Sequence, residues 1–283
     1  MQSFKPTKDL NLVQDYLTFL GISHSGCAAS CTLSFLTQLL RAHLRRIPYE
    51  NISKFTSQPS FPNGDFNFRS YFTGIQEAAF GGTCFAQSQG FCELLCALGF
   101  SAQIVLAKEG PKILHPAICV TLTNQTRYLI DLGLCADFVG PFPIAANHRV
   151  QTRLGNRHYH FAVNETETGF SLWIVAGRSV VRSFQGTLTP CSRIELAELT
   201  RTSSARSSIM MQHLCIHQVF EDSSGATSKM IWDRSYIETC GGSTRKIEIP
   251  SADDLAKLAE VTYGFNNKDI IKALEHLKTT LRF

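Results

Sequence analysis

The sequence predicts an α+β protein: a helical N-terminal third, a β-rich middle, and a closing segment of strands and helices. Three observations carry this. Apolar residues recur at helical spacing up to Gly99. The pattern then shortens to β-rich runs bounded by turn residues, and helical spacing returns only after Ser251. At 283 residues the chain exceeds one average domain, so two or three packed substructures are expected. Its 44% hydrophobic and 18% charged residues describe a soluble globular protein with a sizeable core.

The elements follow in order. Asp9 to Leu20 has helical apolar spacing and stops at Gly21; Leu33, Leu36, Leu39, Leu40 and Leu44 continue it in a second helix, with helical character expected up to residue 55. The second helix should end near Arg46–Ile47, because the residue before Pro48 is disfavoured in the α region. Residues 56–68 mix Ser, Pro, Asn and Gly with phenylalanines and read as a loop with aromatic anchors. A helix opens at Cys84, carries Phe91, Leu94, Leu95 and Leu98 on one face, and stops at Gly99. Strands are expected at Ala102–Ala107, Ala117–Leu122, Arg127–Leu132, His158–Asn164 and Ser171–Val175, forming a small barrel or an antiparallel sheet. Residues 186–208 are polar and rich in Ser and Thr, and read as a crossing segment. Ile209–Phe220, Lys229–Asp233 and Arg245–Ile249 read as strands. Asp253–Tyr263 and Lys268–Lys278 read as closing helices, the first with Ser251 as N-cap.

Composition narrows the partners. A net charge of +4 without a Lys/Arg run speaks against nucleic acid. No stretch approaches the ~18 consecutive apolar residues of a membrane span, so no membrane partner is expected. Met1 to Leu20 lacks a basic segment leading into an apolar one, so no secretory signal is expected, and the cytoplasm is the expected location. The ten cysteines are scattered without a C-x-x-C pair and read as reduced thiols.

The chemistry centres on Gly81-Gly82-Thr83-Cys84. Two glycines allow a sharp turn, and the helix that follows presents unpaired N–H groups and a positive dipole end, which favour a thiolate. His115 lies in an apolar stretch and Asp131 closes another, sixteen residues later. That spacing suits adjacent antiparallel strands joined by a turn. Cys84 as nucleophile, His115 as base and then acid, and Asp131 as the orienter of His115 is therefore the expected constellation. His213, Cys215 and His217 alternate as ligands on one strand face can, as do His158 and His160. Neither set has a further ligand at metal-site spacing, and no metal is expected. Glu50 and Asn51 are expected to fix a turn.

At these residues the chain resembles the arylamine N-acetyltransferases. That family carries Arg-Gly-Gly-aromatic-Cys opening a helix, a His in a following strand and an Asp-Val-Gly-Phe-Gly motif. The counterparts are Phe80-Gly81-Gly82-Thr83-Cys84, His115 and Asp131-Leu132-Gly133-Leu134-Cys135. The family's His-x-x-x-x-Pro-Phe-Glu-Asn-Leu is matched from His43 to Ile52, and Ser203 to Met210 is similar to its Ser-Thr-His-Pro-x-Ser-x-Phe. The resemblance implies an N-terminal helical bundle (1–99) carrying the cysteine, a central β-barrel (100–205) carrying the His and Asp, and a C-terminal α/β lid (206–283), around a papain-like Cys-His-Asp core. It implies ping-pong transfer of an acetyl group from acetyl-CoA to an arylamine or hydrazine through Cys84. Acetyl-CoA is then a cosubstrate, with no permanently bound cofactor, and Gly133, Ser203, Ser204 and Ser208 are its expected contacts.

The chain departs from the family at Phe80, Thr83, Ala86, Ser88 and Cys135, which replace an arginine, an aromatic residue, a glutamate, an asparagine and a glycine. Joint loss of an arginine and a carboxylate removes an ion pair that apolar replacement can tolerate. Cys135 adds bulk where a backbone would approach a ligand closely. Two other readings fit the same residues. One is an amide synthase or Cys-His-Asp hydrolase that does not use CoA; the other is a silent binding protein that kept the fold.

Overall fold

The computed structural model describes residues 7, 9–23, 31–56, 60–61, 65–110, 113–133, 141–154, 157–222, 225–240 and 243–277. Helices come first. In α1 (Leu10–Phe19) the Asp9 side chain caps Leu12 N, and Leu12, Val13, Tyr16 and Leu17 are buried. α2 (Leu33–Arg46), capped by Thr32, gives way to extended backbone at Ile47, ahead of Pro48. The helical character expected up to residue 55 is interrupted there. Tyr49–Glu50 forms a two-residue strand, β1, and Ile52–Phe55 a single helical turn, α3. Next comes α4 (Phe68–Ala78), which the sequence pattern did not reveal, capped by Asn67 and burying Tyr71, Phe72 and Ile75.

α5 (Cys84–Ala97) runs through the middle of this layer, and every residue from Phe85 to Leu95 is buried. Its polar residues are therefore inside as well, and they are tied down. Gln87 Nε2 donates to Pro48 O at 2.9 Å, Gln89 Nε2 to Phe85 O at 3.0 Å, and Ser88 Oγ to Pro116 O at 3.3 Å.

Eight antiparallel strands follow: β2 (Ser101–Glu109), β3 (Ile113–Thr121), β4 (Arg127–Ile130), β5 (Phe142–Ile144), β6 (Arg149–Leu154), β7 (Arg157–Val163), β8 (Gly169–Ala176) and β9 (Ser179–Pro190). They lie in the order β5-β4-β3-β2-β9-β8-β7-β6. Period-2 alternation sends Val105, Ala107, Ala117 and Cys119 to one face, where they meet Phe161, Leu172 and Phe184 in a single core. Phe142 of edge strand β5 stacks on Phe161 of β7 with centroids 4.8 Å apart, so the sheet curls into a nearly closed barrel. The opposite faces of β2 and β3 present Ile104, Ile118 and Val120 to the helices.

The crossing segment expected at 186–208 instead completes β9 and forms α6 (Arg193–Ser203), capped by Ser192. α6 buries only Leu196 and Thr200 and leaves Ile194 exposed, so its sequence lacks the apolar stripe that would announce it. The strand expected from Ile209 begins at Cys215, after a 3-10 turn at Ile209–Met211. β10 (Cys215–Asp222), β11 (Gly225–Trp232), β12 (Ser235–Cys240) and β13 (Ser243–Glu248) make a second sheet in the order β1-β10-β11-β12-β13. α7 (Ala252–Tyr263) and α8 (Asn267–His276) contribute Leu255, Ala259 and Ile270 to a core with Ile216 and Ile231, which Ile52, Phe55 and Phe80 also enter. None of the described helices is long and apolar enough to cross a membrane.

Candidate active site

The start of α5 is held against β1 by its backbone. Glu50 N donates to Gly82 O at 3.1 Å, and Gly82 N donates to Glu50 Oε1 at 2.6 Å. The same buried carboxylate accepts from Ser53 N at 2.9 Å and Ser53 Oγ at 2.8 Å. Burial pushes the Glu50 carboxyl upward in pKa, against these hydrogen bonds. Gly82 has φ +74, and a Cβ there would stand 2.6 Å from the Ala86 Cβ, so the turn needs glycine for its conformation and its space. Thr83 then takes extended backbone as N-cap without a side-chain cap bond, and Cys84 is the first helical residue, half-buried.

His115 reaches Cys84 from β3. Its Nε2 lies 2.8 Å from both carboxylate oxygens of Asp131, and both residues are buried. The Cys84 side chain stands next to the ring, since one point, the Cβ position of Gly133, is within 2.7 Å of both Cys84 Cβ and His115 Cε1. Phe184 backs the imidazole at a centroid distance of 5.2 Å. Burial opposes protonation of His115, but the charge and hydrogen bond of Asp131, with Cys84 adding to them, raise its pKa to about 10. Gly133 N donates to Asp131 Oδ1 at 2.9 Å. Continuing the β3–β4 register past Ile130 brings Gly133 opposite His115, and a Cβ at Gly133 would meet Cys84 Cβ at 2.5 Å and His115 Cε1 at 2.7 Å.

Cys84, His115, Asp131 and Gly133 thus come together. Ser203 and Ser204 lie at the C-terminal end of α6 and are engaged with Lys54. Lys54 Nζ donates to Ser203 O at 3.0 Å, Ser203 Oγ at 3.1 Å and Ser204 Oγ at 3.2 Å, while both hydroxyls donate to Thr200 O. Burial lowers Lys54 to a pKa of about 8, and the charges of Cys84 and Glu50 act against that fall. Sequence reasoning missed Lys54, because a single lysine in a one-turn helix belongs to no pattern. Ser208 stands just ahead of the 3-10 turn. Cys135 lies outside the described residues.

The other singled-out residues have partners of their own. His43 is buried with Nδ1 3.1 Å from Tyr16 Oη, and burial lowers its pKa to about 3. His213 Nδ1 is 2.7 Å from Asp233 Oδ2, and His217 Nε2 is 2.7 Å from Ser228 Oγ. Asn51 donates to Met210 O and His213 O and accepts from Cys215 N, the turn-fixing role expected of it. At position 80, where the resemblance has an arginine, Phe80 packs toward Phe265 with centroids 6.5 Å apart.

A family model described as N-acetyltransferase matches residues 32–269. The chain belongs to that family. Solved arylamine N-acetyltransferases share its fold at low sequence identity, so it is a divergent N-acetyltransferase. The Mycobacterium smegmatis enzyme is 20% identical with a TM-score of 0.76, over 95% of this chain and 98% of that one. The Mycobacterium marinum enzyme, solved in complex with CoA, is 17% identical with a TM-score of 0.77, over 95% and 100%. The Salmonella typhimurium enzyme is 16% identical with a TM-score of 0.73, over 96% and 99%. No curated protein matches the sequence. As an N-acetyltransferase the protein is an acyltransferase enzyme.

Proposed function

We propose that this N-acetyltransferase moves an acetyl group from acetyl-CoA to a small arylamine or arylhydrazine through a thioester on Cys84. The observation that carries the reading is the His115 imidazole, gripped by both oxygens of Asp131 at 2.8 Å and close enough to Cys84 that a Cβ at Gly133 would collide with both. In the first half-reaction the Cys84 sulfur attacks the thioester carbonyl, the C–S bond to CoA breaks, and the departing thiolate takes the proton of the His115 imidazolium. In the second, the acceptor nitrogen attacks the Cys84 thioester, His115 accepts the nitrogen's proton, and Cys84 leaves as thiolate. With a pKa of about 10, His115 holds its proton at neutral pH, ready for the first departure. Asp131 fixes the ring and balances its charge in both halves. Backbone N–H groups in the first turn of α5, which the Thr83 side chain does not cap, would serve as donors to the oxyanion.

Gly133 would keep the approach to the Cys84 sulfur open, since a side chain there collides with both Cys84 and His115. Residues 206–283 would act as the lid, seating the Glu50–Phe55 turn from the far side through Ile216, Leu255 and Ile270. The test is mass spectrometry of the Cys84 peptide after incubation with acetyl-CoA. An acetyl mass increment that an arylamine then discharges is expected, and Cys84→Ala should abolish both steps while leaving the fold intact. Amide turnover without any adduct would refute the transferase reading.

A further inference from the structure

We propose that the recess between α5 and α6 is a binding site for a small organic amine in its ammonium form, separate from the Cys84 centre. The inference goes beyond the acyl-transfer reading and does not depend on it.

The recess forms where α6 lies against α5. Gln89 and Glu93 stand one turn apart on α5 and therefore share a face. Leu196, Ala197 and Thr200 of α6 form the facing wall. Phe61 and Phe66 close the side, their rings edge to face at 5.6 Å between centroids. The interior measures about 40 Å³, room for about three waters or an ammonium group with its first carbons, and it opens to solvent. Glu93 follows Cys84 by about two and a half turns, which puts it on the opposite side of the helix and about 13 Å along the axis. The recess and the Cys84 centre are thus different places.

The polar atoms of the lining that remain for a ligand are mostly acceptors. Glu93 is only 9% exposed, and its carboxylate makes no hydrogen bond among the described residues. Gln89 donates from Nε2 to Phe85 O at 3.0 Å and to Thr200 Oγ1 at 3.5 Å, so its Oε1 remains as an acceptor. Thr200 Oγ1 donates to Leu196 O at 2.8 Å and can only accept from a ligand. Asp65 adds an exposed carboxylate at the mouth, and Arg193, the first residue of α6, adds one positive charge. Two carboxylates against one guanidinium favour a cation, and a buried carboxylate without a hydrogen bond is costly until a donor reaches it. An ammonium group supplies both the charge and the N–H donors, while Phe61 and Phe66 receive its apolar body. A carboxylate or phosphate ligand would meet like charge instead.

The test is isothermal titration calorimetry of the full-length protein with benzylamine as the probe, and benzyl alcohol and benzoate as its neutral and anionic counterparts. It is run at pH 8, where Glu93, with a pKa of about 7, is ionised. Saturable binding of benzylamine is expected, with benzyl alcohol roughly tenfold weaker and benzoate without binding. Glu93→Gln keeps the shape and removes the charge, and should weaken benzylamine by roughly tenfold or more. Ala197→Leu, which fills the recess from its half-buried wall, should weaken it comparably. A benzylamine Kd that either folded variant leaves unchanged puts the amine elsewhere and overturns the proposal. Benzoate binding as tight as benzylamine, or no saturable benzylamine binding, overturns it as well. If Glu93→Gln fails to fold, Ala197→Leu decides alone.

Discussion

Asp131 grips a single imidazole nitrogen with two oxygens, and that contact sets what the neighbouring residues can do. Asp131→Asn removes the charge and offers only one acceptor oxygen, so the acylation rate should fall by roughly 10³–10⁴-fold. Because Asp131 is what raises His115, an NMR titration should also find the imidazole losing its proton well below pH 10. Gly133→Ala tests space in place of charge. A Cβ 2.5 Å from Cys84 Cβ and 2.7 Å from His115 Cε1 cannot be absorbed without backbone movement. Loss of acylation is expected together with roughly 1–3 kcal/mol of stability, read from adduct rate and urea midpoint. Cys84, His115 and Asp131 were legible in the sequence because each stands at a punctuated place: after two glycines, inside an apolar run, at the end of another. Lys54 was not, since its partners Ser203 and Ser204 are brought to it only by the folded chain.

Among elements, legibility followed the apolar pattern. α1, α2 and α7 each bury a periodic face, and their spacing announced them; α5 was announced by its apolar spacing at Phe91, Leu94, Leu95 and Leu98, although it is buried on all sides from Phe85 to Leu95. α6 escaped because it lies on the surface with two buried residues, and β12 because its residues are only partly buried and show no alternation. β1 escaped for another reason: two residues carry no period, and this strand exists because β10 pairs with it, Tyr49 opposite His217 and Glu50 opposite Ile216. Asn51 extends that pairing with its side chain. Asn51→Ala would strip partners from Met210 O, His213 O and Cys215 N together, at a cost of roughly 2–4 kcal/mol in urea unfolding. Since the same turn holds Gly82, that variant should also acylate more slowly under conditions where it remains folded.

The molecule as a whole has a stability optimum written into its buried histidines. His43 and His217 are held at pKa values of about 3 by burial, while the unfolded chain binds those protons near 6.5, so stability falls as pH drops below that value. His115 acts in the opposite sense: its contribution is complete below about 6.5 and is lost as pH rises toward 10. Glu93, raised to about 7 chiefly by burial, adds to the decline between 4.5 and 7, and Lys54 restores stability above 8. A Tm series should therefore peak near pH 6.5, rise most steeply below 4.5 and decline from 6.5 to 8. His217→Gln should flatten the acid side. The pairing of β1 with β10 also bears on how the protein comes into being. Glu50 and Asn51, which seat the Cys84 turn, acquire their strand partner only when Cys215 to His217 have left the ribosome. At ~5–20 residues per second, that wait after Cys84 lasts on the order of 10 s. For that interval the nascent chain carries Cys84 without the strand partner of the turn that seats it.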